Sequence, residues 1–326
     1  MRAVLCKAYG PPDSLVLADV APPRPAANEV LIDVHAAGVN FPDVLIVAGK
    51  YQYKPAFPFS PGAEVAGRVL AVGDKVTLFK PGERVIGLCG HGGFAEQVTV
   101  PEHKVLAMPD GMDFAVGSAI ALTYGTTAHA FLQRARLRPG EWLLVHGASG
   151  GVGLSAVEMG KTLGARVIGT GGDDGKLAIA LEHGADHVIN YNQGPFREQV
   201  KALTGGNGAD VIYDAVGGEA FDQSLRCINW DGRLLVIGFA SGRIPQAPAN
   251  LMLLKSCSVV GVFWGAWSER EPAANRENFR LVFEWWRQGK LRPRVSQVFE
   301  LADTAKAIQA LVDRKVVGKA IVRVKA

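Results

Sequence analysis

Seven residues, Gly147-Ala148-Ser149-Gly150-Gly151-Val152-Gly153, follow the apolar run Trp142-Leu143-Leu144-Val145 and open a stretch with helical periodicity from Leu154 to Leu163. From Ala148 through Gly150 to Gly153 they read A-x-G-x-x-G, a dinucleotide fingerprint with alanine at its first position. Missing side chains let the backbone turn tightly and approach a pyrophosphate. Gly153 lets the helix lie close on the strand, while the helix N-terminus supplies N–H donors and a positive dipole. Ser149, Gly150, Gly151, Val152 and Gly153 are therefore the expected diphosphate cradle.

The same residues fit other chemistry. Gly147 to Gly151 is formally G-x-S-x-G, in which Ser149 would be a nucleophile served by a histidine late in the chain. The histidines stop at His187, so a hydrolase in Ser, Asp, His order lacks its base. Gly160-Lys161-Thr162 resembles the end of a phosphate loop, but Ser155 stands where that loop needs its first glycine. A glycine turn that binds nothing remains the bland alternative, against which the strand before and the helix after must weigh.

The elements that position this turn follow from the rest of the chain. A length of 326 residues suits two domains, and 48% hydrophobic with 20% charged residues is ordinary for a globular protein. A net charge of +4, without basic clusters interleaved with aromatics, does not favour nucleic acid as partner. No apolar run has the length of a membrane span and Met1-Arg2-Ala3-Val4 carries no signal pattern, so the cytoplasm is the expected location. Cys6, Cys89, Cys227 and Cys257 lie far apart with no C-x-x-C pair, against both a disulfide framework and a structural zinc cluster.

Short strands near 4–6, 29–34, 66–72 and 84–87, broken by proline and glycine, predict a β-rich unit. From about residue 120 the rhythm becomes strand, turn, helix. Strands are predicted at 142–146, 166–170, 187–189, 211–214, 234–237 and 259–262, with helices near 152–163, 175–183, 196–203 and 219–228. Such alternation makes a doubly wound parallel six-stranded sheet. A helix near 275–288 and strands near 295–299 and 319–324 return to the style of the first third. The expected fold is α/β plus β: a dinucleotide-binding domain over 121–263, inserted into a β-rich domain built from 1–120 and 264–326. Ligands of such sheets gather at the carboxyl ends of the strands, beside a cleft between domains.

Further motifs stand in order along the chain: Gly38-Val39-Asn40-Phe41-Pro42-Asp43, Gly49-Lys50-Tyr51, Pro58 to Gly67 (PFSPGAEVAG), the glycine turn, and Gly184 to Tyr191 (GADHVINY). With them the chain resembles, over nearly its whole length, the zinc-independent quinone oxidoreductase branch of the medium-chain dehydrogenase/reductase superfamily. That resemblance implies a Rossmann domain inserted into a GroES-like catalytic domain. Where the superfamily's zinc alcohol dehydrogenases carry a cysteine ligand this chain has Asn40, where they carry Gly-His-Glu it has Gly62-Ala63-Glu64, and the lobe holding a structural zinc is absent. No zinc is therefore expected, nor a flavin, and Glu64 is expected to be a structural acid with a buried partner.

The second parallel strand ends in Ile168-Gly169-Thr170-Gly171-Gly172, with no acid at that point to hold the ribose of NAD. The resemblance implies that Lys176 and Tyr191 contact a 2′-phosphate, which favours NADPH over NADH. Asp173 and Asp174 complicate this and are read as the cap of the following helix. By the same resemblance Asn40 and Thr126 lie beside the nicotinamide, and Thr170, Gly171, Val216, Gly238, Phe239, Ser241, Phe263, Trp264 and Gly265 complete the cofactor surface. Phe263 and Trp264 fit core or interface equally well.

Hydride transfer to a conjugated carbonyl needs alignment and a donor for the charge that develops on oxygen. Asn40 can donate, and Tyr51 aligns with the proton-donating tyrosine of related enoyl-thioester reductases, although it could equally be an apolar wall. Asp43 is expected to orient its loop. The expected activity is thus an NADPH-dependent, metal-free reductase of quinones or other α,β-unsaturated carbonyls. An enoyl-thioester or acrylate-type reductase using Tyr51, and an NADPH-binding structural protein like the lens crystallins among its relatives, stand as alternatives. By family analogy the stretch from Cys257 to Phe263 pairs with its mate as the edge of a homodimer's sheet.

Overall fold

The computed structural model describes residues 1–325. It forms two units, one of Met1–Leu122 with the chain from Pro293 on, the other of Thr123–Arg292.

In the first unit the strand Glu29–Val39 is the hub. Val30, Ile32 and Val34 alternate along it, as suits a strand with one face in the core, and are completely covered. One side pairs antiparallel with Glu64–Val72; the other side is shared by Gln97–Pro101 near its start and Lys319–Arg323 near its end. A seven-stranded sheet results, with Phe59, Phe79, Phe94, Ile308 and Val322 filling its core. The hub strand ends at an abrupt corner. Asn40 stays extended at φ −131°, and the helix Phe41–Val47 starts at once with Pro42 in its first turn, where a missing N–H costs nothing.

The second unit contains strands β1 (Trp142–His146), β2 (Arg166–Gly171), β3 (His187–Asn190), β4 (Ala209–Asp214), β5 (Ile228–Val236) and β6 (Ser258–Gly261). They pair in parallel in the order β3-β2-β1-β4-β5-β6. Leu143, Leu144, Val145, Val167, Ile168, Val211 and Ile212 are fully buried, because helices cover the sheet on each face. The order reverses between β1 and β4, which opens a crevice at their carboxyl ends.

One boundary differs from expectation. Residues 264–292 were assigned by sequence to the β-rich domain; they belong to the second unit, as helices Trp264–Arg270 and Pro272–Arg287. Trp264 is buried, donates its indole N–H to Asn275 Oδ1 at 2.9 Å, and lies edge-on to Phe279. It also presses on Gly125 of the helix Phe114–Ala128. That helix was not predicted, being apolar nearly all round and so without the stripe that betrays an amphipathic one.

A Cβ at position 125 would lie 2.5 Å from the Trp264 ring. Gly125→Ala is expected to cost about 1–3 kcal/mol through overpacking, read as a lowered melting temperature with the secondary structure unchanged in circular dichroism.

Candidate functional site

Each unit carries its own set of polar groups. In the second unit the glycine turn connects β1 to the helix Gly151–Thr162. A Cβ on Gly153 would stand 2.0 Å from the carbonyl oxygen of Gly147, so this position admits only glycine. Gly150 is the N-cap and offers no side chain to the helix, whose first N–H groups are thereby left for an outside acceptor. The space beside Gly150 is open, its built Cβ meeting nothing nearer than Gly147 O at 3.4 Å. Uncapped amides over an open glycine floor fit an anionic diphosphate. Ser149, Gly151 and Val152 are half-buried around it.

The neighbouring strand ends converge. Val216 sits against Gly147, and the segment after β4 bonds to the segment after β5 through Ala240 N to Ala215 O and Ser241 N to Val216 O. Gly238, Phe239 and Ser241 are thereby brought beside Val216, with Phe239 in contact distance of Gly217. After β2 the chain stays small at Gly171 and Gly172, and Tyr191 lies over Gly172, whose built Cβ would be 3.0 Å from the phenol oxygen. Asn192 also donates to Gly172 O, at 2.8 Å. Both acids that follow are engaged. Asp173 caps the helix Asp174–Glu182 by accepting from Lys176 N at 2.8 Å, and Asp174 accepts from the side chains of Asn190 and Gln193.

Two expected cofactor residues point elsewhere. Thr170 is fully buried, with its carbonyl taken by Ala148 N. Ser224 donates to Ala220 O and so accepts from His146 Nε2, which leaves His146 Nδ1 to receive the Thr170 hydroxyl at 2.8 Å. Burial lowers the His146 pKa against the pull of Asp214, so the ring is neutral as this chain of bonds requires. Thr170 shapes the strand end rather than facing a ligand. Trp264 is core, as described, whereas Phe263 is 58% exposed and Gly265 is exposed beside it. Thr126 is half-buried on the helix Phe114–Ala128.

In the first unit Asn40, Asp43, Glu64 and Lys319 form a buried polar cluster. The Asn40 amide donates to Glu64 Oε1 at 2.9 Å and to Gly38 O at 3.3 Å, and its oxygen accepts from Lys319 Nζ. Lys319 Nζ also meets Glu64 Oε1 at 2.6 Å, and Glu64 Oε2 accepts from Leu122 N at 2.8 Å. Lys319 is the buried partner that Glu64 required. Asp43 accepts from Asn40 N and Gly62 N at 2.8 and 3.0 Å, tying the corner to the following loop. Burial pushes its carboxyl up to about 7, against those two N–H donors and the Lys319 charge. Tyr51 is half-buried on the core, with its phenol raised by burial and by the nearby Asp43.

Sequence reasoning missed Lys319, whose partner Glu64 is 255 residues away; the only signal was a lysine placed directly before the apolar run Ala320-Ile321-Val322. It also missed Glu158, buried in the second unit, which accepts from Tyr124 and contacts His183, each at 2.6 Å. Among the described residues no group of three or more His, Cys, Asp or Glu could hold a metal, and no helix is long and apolar enough to cross a membrane.

Comparison with known proteins locates these features in a family. Residues 26–110 match the alcohol dehydrogenase GroES-like domain and residues 151–278 match the family described as zinc-binding dehydrogenase. A Nematostella vectensis protein named quinone oxidoreductase-like protein 2 homolog is 42% identical over 99% of this chain and 89% of its own length. The Escherichia coli quinone oxidoreductase solved with NADPH is 30% identical, with TM-score 0.92, covering 99% of this chain and 100% of that one. The CurK enoyl reductase is 29% identical with TM-score 0.90, covering 99% of this chain and 98% of that one.

Asp43 gives the cluster a pH signature. Between the ordinary carboxyl value near 3.8 and its folded value of about 7, the folded chain keeps a proton that the unfolded chain has released. Its contribution to stability is therefore full below that window, falls as pH rises through it, and is constant above. Thermal melts from pH 4 to 8 are expected to show Asp43→Asn with a flatter profile than the wild type, the gap changing by a few kcal/mol across the window.

Proposed function

Because the chain belongs to the quinone oxidoreductase branch of the medium-chain dehydrogenase/reductase superfamily, and is an oxidoreductase, we propose that it is an NADPH-dependent, metal-free reductase of quinones and other α,β-unsaturated carbonyls. The observation that carries the cofactor choice is the end of β2. Asp173 and Asp174, the acids that could have held a ribose diol, are spent on a helix cap and on Asn190 and Gln193. Gly172 lies beneath Tyr191 instead, and Lys176 stands in the first turn of the next helix, a neighbourhood suited to a 2′-phosphate.

When bound, NADPH supplies the hydride. The chain holds the diphosphate on the amides of Gly151, Val152 and Gly153, and offers Val216, Gly238 and Phe239 as a small, mostly apolar surface at the strand ends. In the β-rich unit Asn40 is the group assigned to the acceptor's carbonyl oxygen, and Ala63 and Asn40 stand where metal ligands would be needed. Tyr51 supports a second reading, reduction of enoyl-thioesters. A phenol is protonated at neutral pH, as a proton donor must be, and burial and Asp43 push this one further up; the likeness to an enoyl reductase points the same way.

The proposal includes a homodimer. Among the described residues strand β6 pairs only with β5 and lies at the sheet edge, and Leu253 and Leu254 of the preceding helix are 80% and 69% exposed. An uncovered strand edge flanked by apolar side chains suits a second copy paired across a twofold. Light scattering after size exclusion is expected to give twice the chain mass, and Leu254→Arg to shift it towards one.

Oxidation of NADPH followed across quinones, enones and enoyl-thioesters tests the function. Turnover of quinones or enones is expected, with kcat/KM for NADPH at least tenfold above NADH; no turnover of any acceptor, or preference for NADH, overturns the reading. Tyr51→Phe is expected to lower kcat about tenfold on enoyl-thioesters and to leave quinones, which need no carbon protonation, nearly unchanged.

A further inference from the structure

We propose that Lys319 is a positioning residue: its buried ammonium fixes the Asn40 carboxamide in one orientation and polarises it as a hydrogen-bond donor to the acceptor's carbonyl oxygen. This rests on the functional reading above and deepens it at the same site.

The orientation follows from charge. A carboxamide can be turned over to exchange its oxygen and nitrogen, and which way it lies must come from its partners. Here Lys319 Nζ faces one end of Asn40, and Glu64 Oε1 faces the other at 2.9 Å. Lysine offers only donors and the carboxylate only acceptors, so the oxygen must face Lys319 and the nitrogen Glu64. The reverse placement would set N–H against ammonium and carbonyl oxygen against carboxylate. All three side chains are no more than 5% exposed, where a wrong pairing is not relieved by water.

Polarisation follows from the same bonds. An ammonium on the amide oxygen draws electron density from the nitrogen and strengthens its N–H groups as donors. One N–H is held by Glu64; the other reaches Gly38 O at 3.3 Å, the longest bond in the cluster. That weakly held N–H is the one available to an acceptor oxygen, and its value rises as negative charge develops there during hydride addition. Glu64 meanwhile balances Lys319 at 2.6 Å, so the ion pair that holds Asn40 carries no net charge of its own.

A plain structural role for Lys319, neutralising Glu64 alone, makes a different prediction. In K319M the carboxylate is left buried without its cation, and loss of stability is expected under either view. In K319M/E64Q the charge is balanced again, and the melting temperature is expected to recover most of that loss. If Lys319 acts through Asn40, kcat on the best acceptor stays at least tenfold below wild type while KM for NADPH stays within about twofold. Adding Asn40→Ala to K319M/E64Q then lowers kcat no further than Asn40→Ala does by itself, as expected of groups that work as a unit. Return of kcat to the wild-type level in K319M/E64Q, or additive losses in the triple variant, overturns the proposal. Should K319M/E64Q fail to fold, K319Q/E64Q retains an uncharged donor for the Asn40 oxygen, and the same tenfold loss or its absence decides. Absence of turnover by the wild type on every acceptor would sink the functional reading instead. In that case the amide proton exchange of the Asn40 side chain, expected to quicken at least tenfold in the double variant, still tests the orientation.

Discussion

The carboxylate of Glu64 has no contact with water, and much of the β-rich unit can be understood as the means of keeping it there. Burying an unpaired carboxylate costs several kcal/mol, so every lone pair must find a donor. Those donors come from distant parts of the chain: the ammonium of Lys319, the amide of Asn40 and the backbone N–H of Leu122. Their convergence fixes where the strand 319–323 docks, where the hub strand turns its corner, and where the helix Phe114–Ala128 passes Glu64 at Leu122. The position of Asn40 is a consequence of satisfying its neighbour.

The Rossmann unit relies on a different constraint, close approach of backbones. Gly153 against Gly147 and Gly125 against Trp264 are places where a single carbon does not fit. The first brings a helix N-terminus to the end of β1, and the second seats residues 264–292 on the unit. Between them, small residues determine both how closely that helix approaches β1 and the extent of the domain.

This division explains what could be seen in the sequence. The six parallel strands, the glycine turn and the helix cap at Asp173 depend on neighbours within a few residues, and periodicity or turn chemistry displays them directly. The need of Glu64 for a buried partner was also legible, because a carboxylate among apolar strand residues is costly in any fold. Lys319 was not, since a pairing across 255 residues leaves no local mark. Thr170 and Trp264 show the opposite difficulty. Their positions at strand ends suggested contact with a ligand, but side-chain direction is decided by packing, and His146 and Gly125 claimed them for the core.

The docking of the strand 319–323 also sets an order of assembly. Its partners on the hub strand lie some 280 residues earlier, Lys319 bonding to Asn40 across a separation of 279. Loop closure on that scale is slow, and domains form as the chain emerges from the ribosome. The Rossmann unit, continuous from Thr123 to Arg292, has all of its strands available before Lys319 is made. Through that interval the nascent β-rich sheet presents the hub strand's edge at Ala36–Val39 unpaired and Glu64 without its cation. Synthesis of residues 319–323 is thus the event that closes the edge, and the polar cluster forms only after the whole of the Rossmann unit has been made.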